Sequence, residues 1–424
     1  MNDLQMNINI DIQANDPAVV AIMGKNLANW SGGNDYLRLC MSGLTAVSPS
    51  LQPFLLLPEL NRLSHVRRQL GRIKRGAMNS FRSRKFVCQP TLNKLERTDV
   101  FDALKGDNLH FHVVSYTDSP RQLRKTLETL HADVAFPALE TLGSSFSIPW
   151  VGYIPDFQHR YLPQFFTEKE CISRDRTFGR IVNDAKAICL NSRSVAEDVR
   201  KFYPSSSCKL FVLPFAPCSM PEWLEGDHRE VCGRYSLPVR FFLISNQFWI
   251  HKSHITAFKA LHFLRAIPKF RDVEIICTGT THDYRWPHYF NELKAEVESF
   301  GLTDSIRFLG RIPKLDQIAI MKKSVAVVQP TLFEGGPGGG SVYDAVAVGT
   351  HVIASDISVN REIENPLVTF FKAGSAENLA SAMQDMLAFS YDSPNAETLK
   401  QLGFESQKSF GNVIMSALRY AIST

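Results

Sequence analysis

Thr331-Leu-Phe-Glu-Gly-Gly-Pro-Gly-Gly-Gly-Ser-Val-Tyr-Asp-Ala345 lies between two apolar stretches, and its reading decides the fold. Ahead of it, Val325-Ala-Val-Val-Gln-Pro330 has the character of a buried strand. Behind it, Ser341-Val-Tyr-Asp-Ala-Val-Ala-Val-Gly349 has residues for a short helix that stops at Gly349. A strand, a glycine-rich turn and a helix start together make a seat for phosphate or diphosphate. Gly338, Gly339 and Gly340 let the backbone approach an anion, and the first helical N–H groups point at it with about half a positive charge from the helix dipole. Glu334 and Asp344 flank this seat. A carboxylate is badly placed to touch phosphate but well placed to accept hydrogen bonds from sugar or ribose hydroxyls, so the expected ligand is a nucleotide sugar. A glycine cluster between strand and helix also occurs as a plain flexible loop, and glycine strings match by chance. The loop alone leaves both readings open.

Its neighbours add to the pattern. His351-Val-Ile-Ala-Ser-Asp356 reads as a second short apolar strand, followed by Ile357-Ser-Val-Asn-Arg-Glu-Ile363. With these pieces the segment resembles the signature of glycosyltransferase family 4. That signature runs through a Glu-Gly pair, a small-residue turn, a Glu-Ala helix and a Val-Ile-Ala-Ser strand. The matching residues are Glu334-Gly335, Asp344-Ala345, Gly349, Val352 to Asp356, and Arg361-Glu362-Ile363. Two departures stand out: Asp344 follows Glu334 by ten residues where the family has eight, and it is Asp where the family has Glu. The resemblance implies an α/β protein of GT-B type, with two Rossmann-like domains facing each other across a cleft.

The rest of the chain is organised accordingly. Short apolar strands alternate with longer helical stretches, which predicts α/β layers with mostly parallel sheets. In the second half, strands at Val239–Ser245, Asp272–Gly279, Ser305–Gly310 and Val325 alternate with helices near Ile255–Arg265, Phe290–Phe300 and Leu315–Lys323. Asn246, Gly279, Gly310 and Glu334 fall at the strand carboxyl ends, where ligands of such domains sit. The first half offers strands at Val19–Met23, Pro53–Leu57, Leu109–Ser115, Ala132–Phe136, Trp150–Ile154, Ala187–Leu190 and Lys209–Leu213, with a helix at Glu170–Asp184. Leu213-Pro-Phe-Ala-Pro-Cys-Ser-Met-Pro221 has three prolines in nine residues and reads as the linker. The expected division is residues 1–215, residues 216–395, and a last helix over 396–424 that the family pattern sends back to the first domain.

Three further constellations belong to the same expected cleft. In Asn246-Gln-Phe-Trp-Ile-His-Lys252, Lys252 matches the Lys that the resemblance assigns to the donor diphosphate, while Gln247 stands where the family has Arg. His251 and His254 would add charge if protonated. Asn29-Trp-Ser-Gly-Gly-Asn-Asp-Tyr36 is a glycine turn opening a helix, and Gly32 and Gly33 resemble the family's first-domain loop against the donor. Trp150-Val-Gly-Tyr-Ile-Pro-Asp156 ends a strand where family members place a His-Asp pair beside the sugar. Here Pro155 replaces the His, Asp156 is kept, and His159 three residues on is a candidate partner or a plain loop imidazole.

The resemblance implies a retaining glycosyltransferase that moves a sugar from a nucleoside-diphosphate donor to a cell-surface glycan or lipid-linked acceptor, as in polysaccharide, O-antigen or capsule synthesis. No cofactor and no metal ligands are expected, since no Asp-x-Asp occurs in the sequence to hold a diphosphate through a divalent ion. Lys252 and the Gly338–Gly340 amides would stabilise the departing diphosphate, Glu334 would orient sugar hydroxyls, and Asp344 would hold the ribose. Two rivals share the fold. A nucleotide-sugar epimerase needs an acid/base pair such as Asp156 and His159, and a non-catalytic partner subunit fits the missing Arg and the altered spacing. A nicotinamide dehydrogenase does not fit, because the glycine motif comes late in its domain rather than after the first strand.

Bulk properties set the surroundings. A chain of 424 residues with 44% hydrophobic and 21% charged residues suits two globular domains. The polar start Met1-Asn-Asp-Leu-Gln lacks the features of a secretory leader, and no apolar run reaches the ~18 residues that span a bilayer. The eight scattered cysteines form no Cys-x-x-Cys pair and predict reduced thiols in a cytoplasm. No acidic residue occurs between Glu59 and Glu96, and the Arg62 to Lys85 segment carries Leu63, Val66, Leu70 and Ile73 at helical spacing. Such a helix either lies on an anionic membrane surface, here the inner face, or is a solvated face of its domain. Nucleic acid is not expected as a partner, since no aromatic residues interleave with the basic ones before Phe81.

Overall fold

Runs such as Val19-Val-Ala-Ile-Met23 and Phe241-Phe-Leu-Ile-Ser245 are apolar at successive positions, which suits strands covered on both faces. The computed structural model describes residues 16–28, 31–59, 111–225, 229–283, 285–388 and 393–424. The basic segment Arg62–Lys85, and Asn29 and Trp30 of the first glycine turn, lie outside the described residues.

The first domain is a seven-stranded sheet of β1 (Val19–Met23), β2 (Gln52–Pro58), β3 (His112–Tyr116), β4 (Val134–Ala138), β5 (Trp150–Ile154), β6 (Ala187–Leu190) and β7 (Lys209–Val212), in the order β3-β2-β1-β4-β5-β6-β7. The second is a six-stranded sheet of β8 (Phe241–Ser245), β9 (Glu274–Thr278), β10 (Ile306–Gly310), β11 (Val327–Gln329), β12 (Val352–Ser355) and β13 (Val368–Phe371), in the order β10-β9-β8-β11-β12-β13. Every pairing in both sheets is parallel. These are two Rossmann-like domains, the GT-B architecture expected from the sequence. In each sheet the strand order reverses beside its first strand, between β1 and β4 and between β8 and β11. A crevice opens at such a point, and it is where ligands bind in this class of sheet.

The period of two along each strand divides the cores. Val20, Ile22, Val134 and Phe136 pack on one face of the first sheet, while Ala21, Met23, Ala135 and Ile188 pack on the other. The second sheet repeats this with Phe242, Ile244, Ile275 and Val328 against Phe241, Leu243, Ile276 and Val327. The segment after β7 crosses between domains: Leu213, Ala216 and Cys218 belong to the first core and Met220 to the second. The last helix, Ala396–Ser423, starts against the second domain, where Leu399 lies near Gly349, and ends in the first core through Phe410, Ile414, Met415 and Leu418. It crosses the first helix, Ser31–Val47, at a glycine pair: a Cβ on Gly411 would lie 2.0 Å from the Gly43 carbonyl oxygen.

Most strands begin and end within a residue or two of their expected limits. The pattern names nothing between Ile363 and the last helix, where the structure has β13 and a helix at Ala376–Ala388. β13 is an edge strand of four residues whose pattern is only partly buried, so its hydrophobic signal is weak.

Candidate active site

The glycine turn leaves β11 at the reversal point of the second sheet. Gln329, the last residue of β11, is fully buried and organises everything around it. Its amide nitrogen donates to the Glu334 carboxylate at 3.1 Å and to the Gly338 carbonyl at 2.7 Å, while its amide oxygen accepts from the Asn246 side chain at the end of β8. One side chain thus clips both ends of the turn to the neighbouring strand. Gly338 has φ 72°, a left-handed backbone that side-chain-bearing residues rarely adopt, and helix Gly339–Ala347 starts directly after it.

Lys252 reaches the same place from the loop after β8. Its ammonium lies 2.5 Å from the Glu334 carboxylate, and both side chains are close to nine-tenths buried. The Lys252 loop is fixed to the turn through the His251 carbonyl, which accepts from the Leu332 N–H at 2.8 Å and from the Thr331 hydroxyl at 3.3 Å. Gln247 sits half-buried in this loop, with its carbonyl accepting from the Trp249 N–H at 2.8 Å. A neutral amide at this position makes Lys252 the cation that the loop supplies.

Several assignments change once side chains are placed. The Gly338 N–H donates to Asn360 Oδ1 at 2.8 Å, so this amide is committed to its own domain and is not available to a diphosphate. The Gly339 N–H points to the Gly336 carbonyl at 3.4 Å, so the N–H groups left for an anion are those of Gly340 and Ser341, in the first turn of the helix where N–H groups have no intrahelical partner. His251 and His254 do not add charge. Burial takes the His251 imidazole down to about 2, helped by the Lys252 and Arg285 charges, and takes His254 down to about 3. His254 is fully buried and stacked on Phe248 at 4.3 Å.

His159 is likewise not presented to the cleft. It is 1% exposed, packed among Phe157, Phe166 and Phe178, with Nε2 2.8 Å from Asp175. Burial lowers its pKa despite the Asp175 hydrogen bond. A short helix, Gln158–Tyr161, starts right after Asp156 and turns the imidazole into the aromatic core. A lone His three residues beyond Asp156 carries no signal of that turn.

Asp156, in contrast, faces the glycine turn. A Cβ built on Gly335 would lie 2.3 Å from the Pro155 carbonyl oxygen and 2.7 Å from the Asp156 Cβ, so only glycine fits between the domains there. The Asp156 carboxylate accepts from Arg174 at 2.7 Å and from the Gln158 N–H at 2.8 Å through one oxygen. Beside it Asn191, at the end of β6, lies against Gly336 and accepts from the Tyr153 hydroxyl at 2.7 Å. Tyr153 stacks on Tyr36 of the first helix at 4.5 Å.

Asp344, farther along the turn helix, is bound to Lys314 at 2.5 Å. Burial pushes its carboxyl up, against the pull of the Lys314 ammonium. Lys314 also lies 3.9 Å from Asp35 on the first helix, whose opening turn contains Gly32 and Gly33. The first helix therefore approaches the Asp344 end of the cleft, and Asp156 with Asn191 approaches the Glu334 end.

Gln329, Asn360, Asn191, Arg174 and Lys314 are none of the residues that mark the cleft in the sequence. Gln329 had a signal: an amide closing an otherwise apolar central strand. Asn191-Ser192 likewise ends an apolar strand. Among the described residues no group of three His, Cys, Asp or Glu side chains is arranged to hold a metal ion, and no helix is long and apolar enough to cross a membrane.

Comparison with known proteins gives one family match and a set of structural neighbours. Residues 238–403, the domain that carries Lys252 and the glycine turn, match the family model described as glycosyl transferases group 1. Solved structures share the whole two-domain fold at low identity. Sucrose-phosphate synthase from Thermosynechococcus elongatus is 14% identical with a TM-score of 0.57, covering 96% of each chain. HepE of Anabaena, solved in complex with UDP-glucose, is 14% identical with a TM-score of 0.54, covering 96% of this chain and 98% of that one. WaaG, a glycosyltransferase involved in lipopolysaccharide biosynthesis, is 13% identical with a TM-score of 0.52, covering 96% and 98%. No curated protein sequence matches the chain. The family match of the second domain supports a glycosyltransferase, and the solved structures share its two-domain fold.

Proposed function

We propose that the protein transfers a sugar from a nucleoside-diphosphate sugar to a hydroxyl acceptor, as a retaining enzyme of glycosyltransferase family 4. The observation that carries this is the Lys252–Glu334 pair beside a helix-opening glycine turn, at the reversal point of the second sheet and facing Asp156 across the cleft. An ammonium has three donors, so Lys252 can keep Glu334 and still donate to a diphosphate oxygen. As the bond from the sugar to the diphosphate breaks, negative charge grows on the leaving oxygen. Lys252 and the Gly340 and Ser341 N–H groups are preorganised for that charge, in a site with little water to reorganise. Glu334, fixed by Gln329 and Lys252, is suited to accept from sugar hydroxyls on the inner side of the turn. Asp344, held by Lys314, is suited to accept from a ribose hydroxyl on the outer side.

The acceptor is read as a cell-surface glycan or a lipid-linked carrier, in polysaccharide, O-antigen or capsule-type synthesis; WaaG of the same fold serves lipopolysaccharide biosynthesis. The Arg62–Lys85 segment would then dock the first domain reversibly on an anionic inner leaflet, each basic residue adding about 1 kcal/mol near the surface. The epimerase reading loses its acid/base pair, because His159 is bound to Asp175 inside the first domain. The test is turnover with a panel of UDP, GDP, ADP and dTDP sugars, with and without lipid-linked and glycan acceptors. The expected result is acceptor-dependent release of nucleoside diphosphate from one donor class. Conversion of the donor sugar to its epimer without an acceptor would reverse the assignment.

A further inference from the structure

The glycine turn is tied to the first domain by a second set of contacts that binding a donor does not require. Ser192, at the start of helix Arg193–Phe202 in the first domain, donates its hydroxyl to the Gly335 carbonyl at 3.0 Å. Glu362 of the second domain reaches the same helix start. Its carboxylate accepts from the Arg193 N–H, the Ser194 N–H and the Ser194 hydroxyl, each at 2.8 Å. The Glu362 side chain is 12% exposed, and the Arg193 guanidinium lies 3.6 Å from it on the solvent side. Two of the three donors are backbone groups at the positive end of a helix dipole, which favours a carboxylate there.

Glu362 does not act alone. It belongs to a single helical turn, Asn360–Glu362, whose first residue accepts from the Gly338 N–H. Asn360 also donates to the Ser355 carbonyl at 2.9 Å, which fixes this turn to the end of β12. One short element therefore holds the glycine turn with its first residue and the first domain with its last. Ser192 then holds the other limb of the same turn, at Gly335, where the absence of a side chain lets Pro155 and Asp156 abut the backbone.

We propose that Glu362 and Ser192 are positioning residues that latch the two domains closed and set the glycine turn in register for the donor. The proposal rests on reading that turn as the diphosphate seat. When the domains separate, Gly335 loses its Ser192 donor and Glu362 loses its helix. The turn is then held from within its own domain, by Gln329, Asn360, Lys252 and the His251 carbonyl, and the cleft is open for exchange. Closure restores five residues' contacts at once, so donor affinity depends on side chains that never touch the donor.

The experiment uses the full chain with Glu362→Ala, the milder Glu362→Gln and Ser194→Ala. Small-angle X-ray scattering without any nucleotide reads domain separation, thermal unfolding reads the fold, and steady-state kinetics separates KM from kcat. The expected result for Glu362→Ala is a larger radius of gyration than wild type with a cooperative unfolding transition retained. Its donor KM rises about tenfold, the scale of one lost charge-assisted contact, with kcat changing much less. Glu362→Gln, which keeps an acceptor for Ser194, falls between Glu362→Ala and wild type. Should Glu362→Ala prove too unstable to measure, Ser194→Ala shows the same pattern at smaller amplitude. A folded variant with the wild-type radius of gyration and the wild-type KM overturns the latch. The scattering result needs no turnover, so a swollen variant of a protein that binds no nucleotide sugar would keep the latch and remove the donor reading.

Discussion

Glu334 and Asp344 are carboxylates on one glycine-turn segment, yet they meet different partners and predict different defects. Glu334 is bound to Lys252 and Gln329 beside the proposed reacting sugar, so Glu334→Gln should lower kcat and kcat/KM together. Asp344 is bound to Lys314 at the proposed ribose end, so Asp344→Asn should chiefly raise the donor KM, because that contact is made equally before and during reaction. Steady-state kinetics with the identified donor checks this split, and identical defects would contradict it. A second residue-scale prediction concerns pH. His254 is fully buried with both ring nitrogens lacking a hydrogen-bond partner, and its pKa is taken down to about 3. Unfolded His titrates near 6.5, so as pH falls below that value the unfolded chain gains a proton that the folded chain refuses, and stability is lost. His254→Phe preserves the stacking shape and removes this term. Its unfolding free energy should decline less than that of wild type on going from pH 7 to pH 5, by about 2 kcal/mol, as read from urea titrations at both pH values. Lys252, Glu334 and Asp156 are proposed from the sequence because each lies in a loop after an apolar strand and matches a position of the family pattern. Gln329 and Asn360 are less legible there: their importance lies in hydrogen bonds to backbone groups brought near only by the fold.

Among the elements, short continuous apolar runs marked the strands, and the alternation of strands with helices marked the parallel sheets. What the pattern did not carry is the contact between elements remote in the chain. Glu362 and the Arg193–Phe202 helix are 169 residues apart, and neither residue type announces the other. The crossing of the first and last helices is another such contact. Gly43 and Gly411 look like helix-weakening residues in sequence, but together they allow the two backbones to touch. Gly411→Ala should therefore destabilise the protein by about 1–3 kcal/mol or more, since the new methyl group meets a backbone oxygen that cannot rotate away. Gly233→Ala is the control: it lies in helix Arg229–Arg234 with open space around it, so better helix propensity should leave stability unchanged or raise it by up to about 1 kcal/mol. Urea unfolding of the two variants gives opposite signs if the crossing acts as described.

For the whole molecule, the last helix and the 213–220 crossing segment hold the domains to a common frame, and the cleft joins the carboxyl ends of both sheets. The two-domain GT-B plan was readable from the resemblance to the family signature, from the strand–helix alternation that is regular in the second half, and from the prolines clustered before it. The identity of base, sugar and acceptor was not, since specificity rests on contacts that no spacing encodes. The proposed function requires the glycine turn with Lys252 to be the seat of a nucleoside diphosphate sugar. The most direct test is a thermal titration of wild type and Lys252→Ala with UDP, GDP, ADP and dTDP sugars. Ligand at a hundred times its dissociation constant stabilises the folded chain by about 2.7 kcal/mol, which is a clear shift in Tm. One donor should give that shift with wild type, and Lys252→Ala, folded and unfolding cooperatively, should need at least about tenfold more donor to match it. Equal shifts for both proteins with every donor that binds, or none with any donor in the panel, would contradict the account.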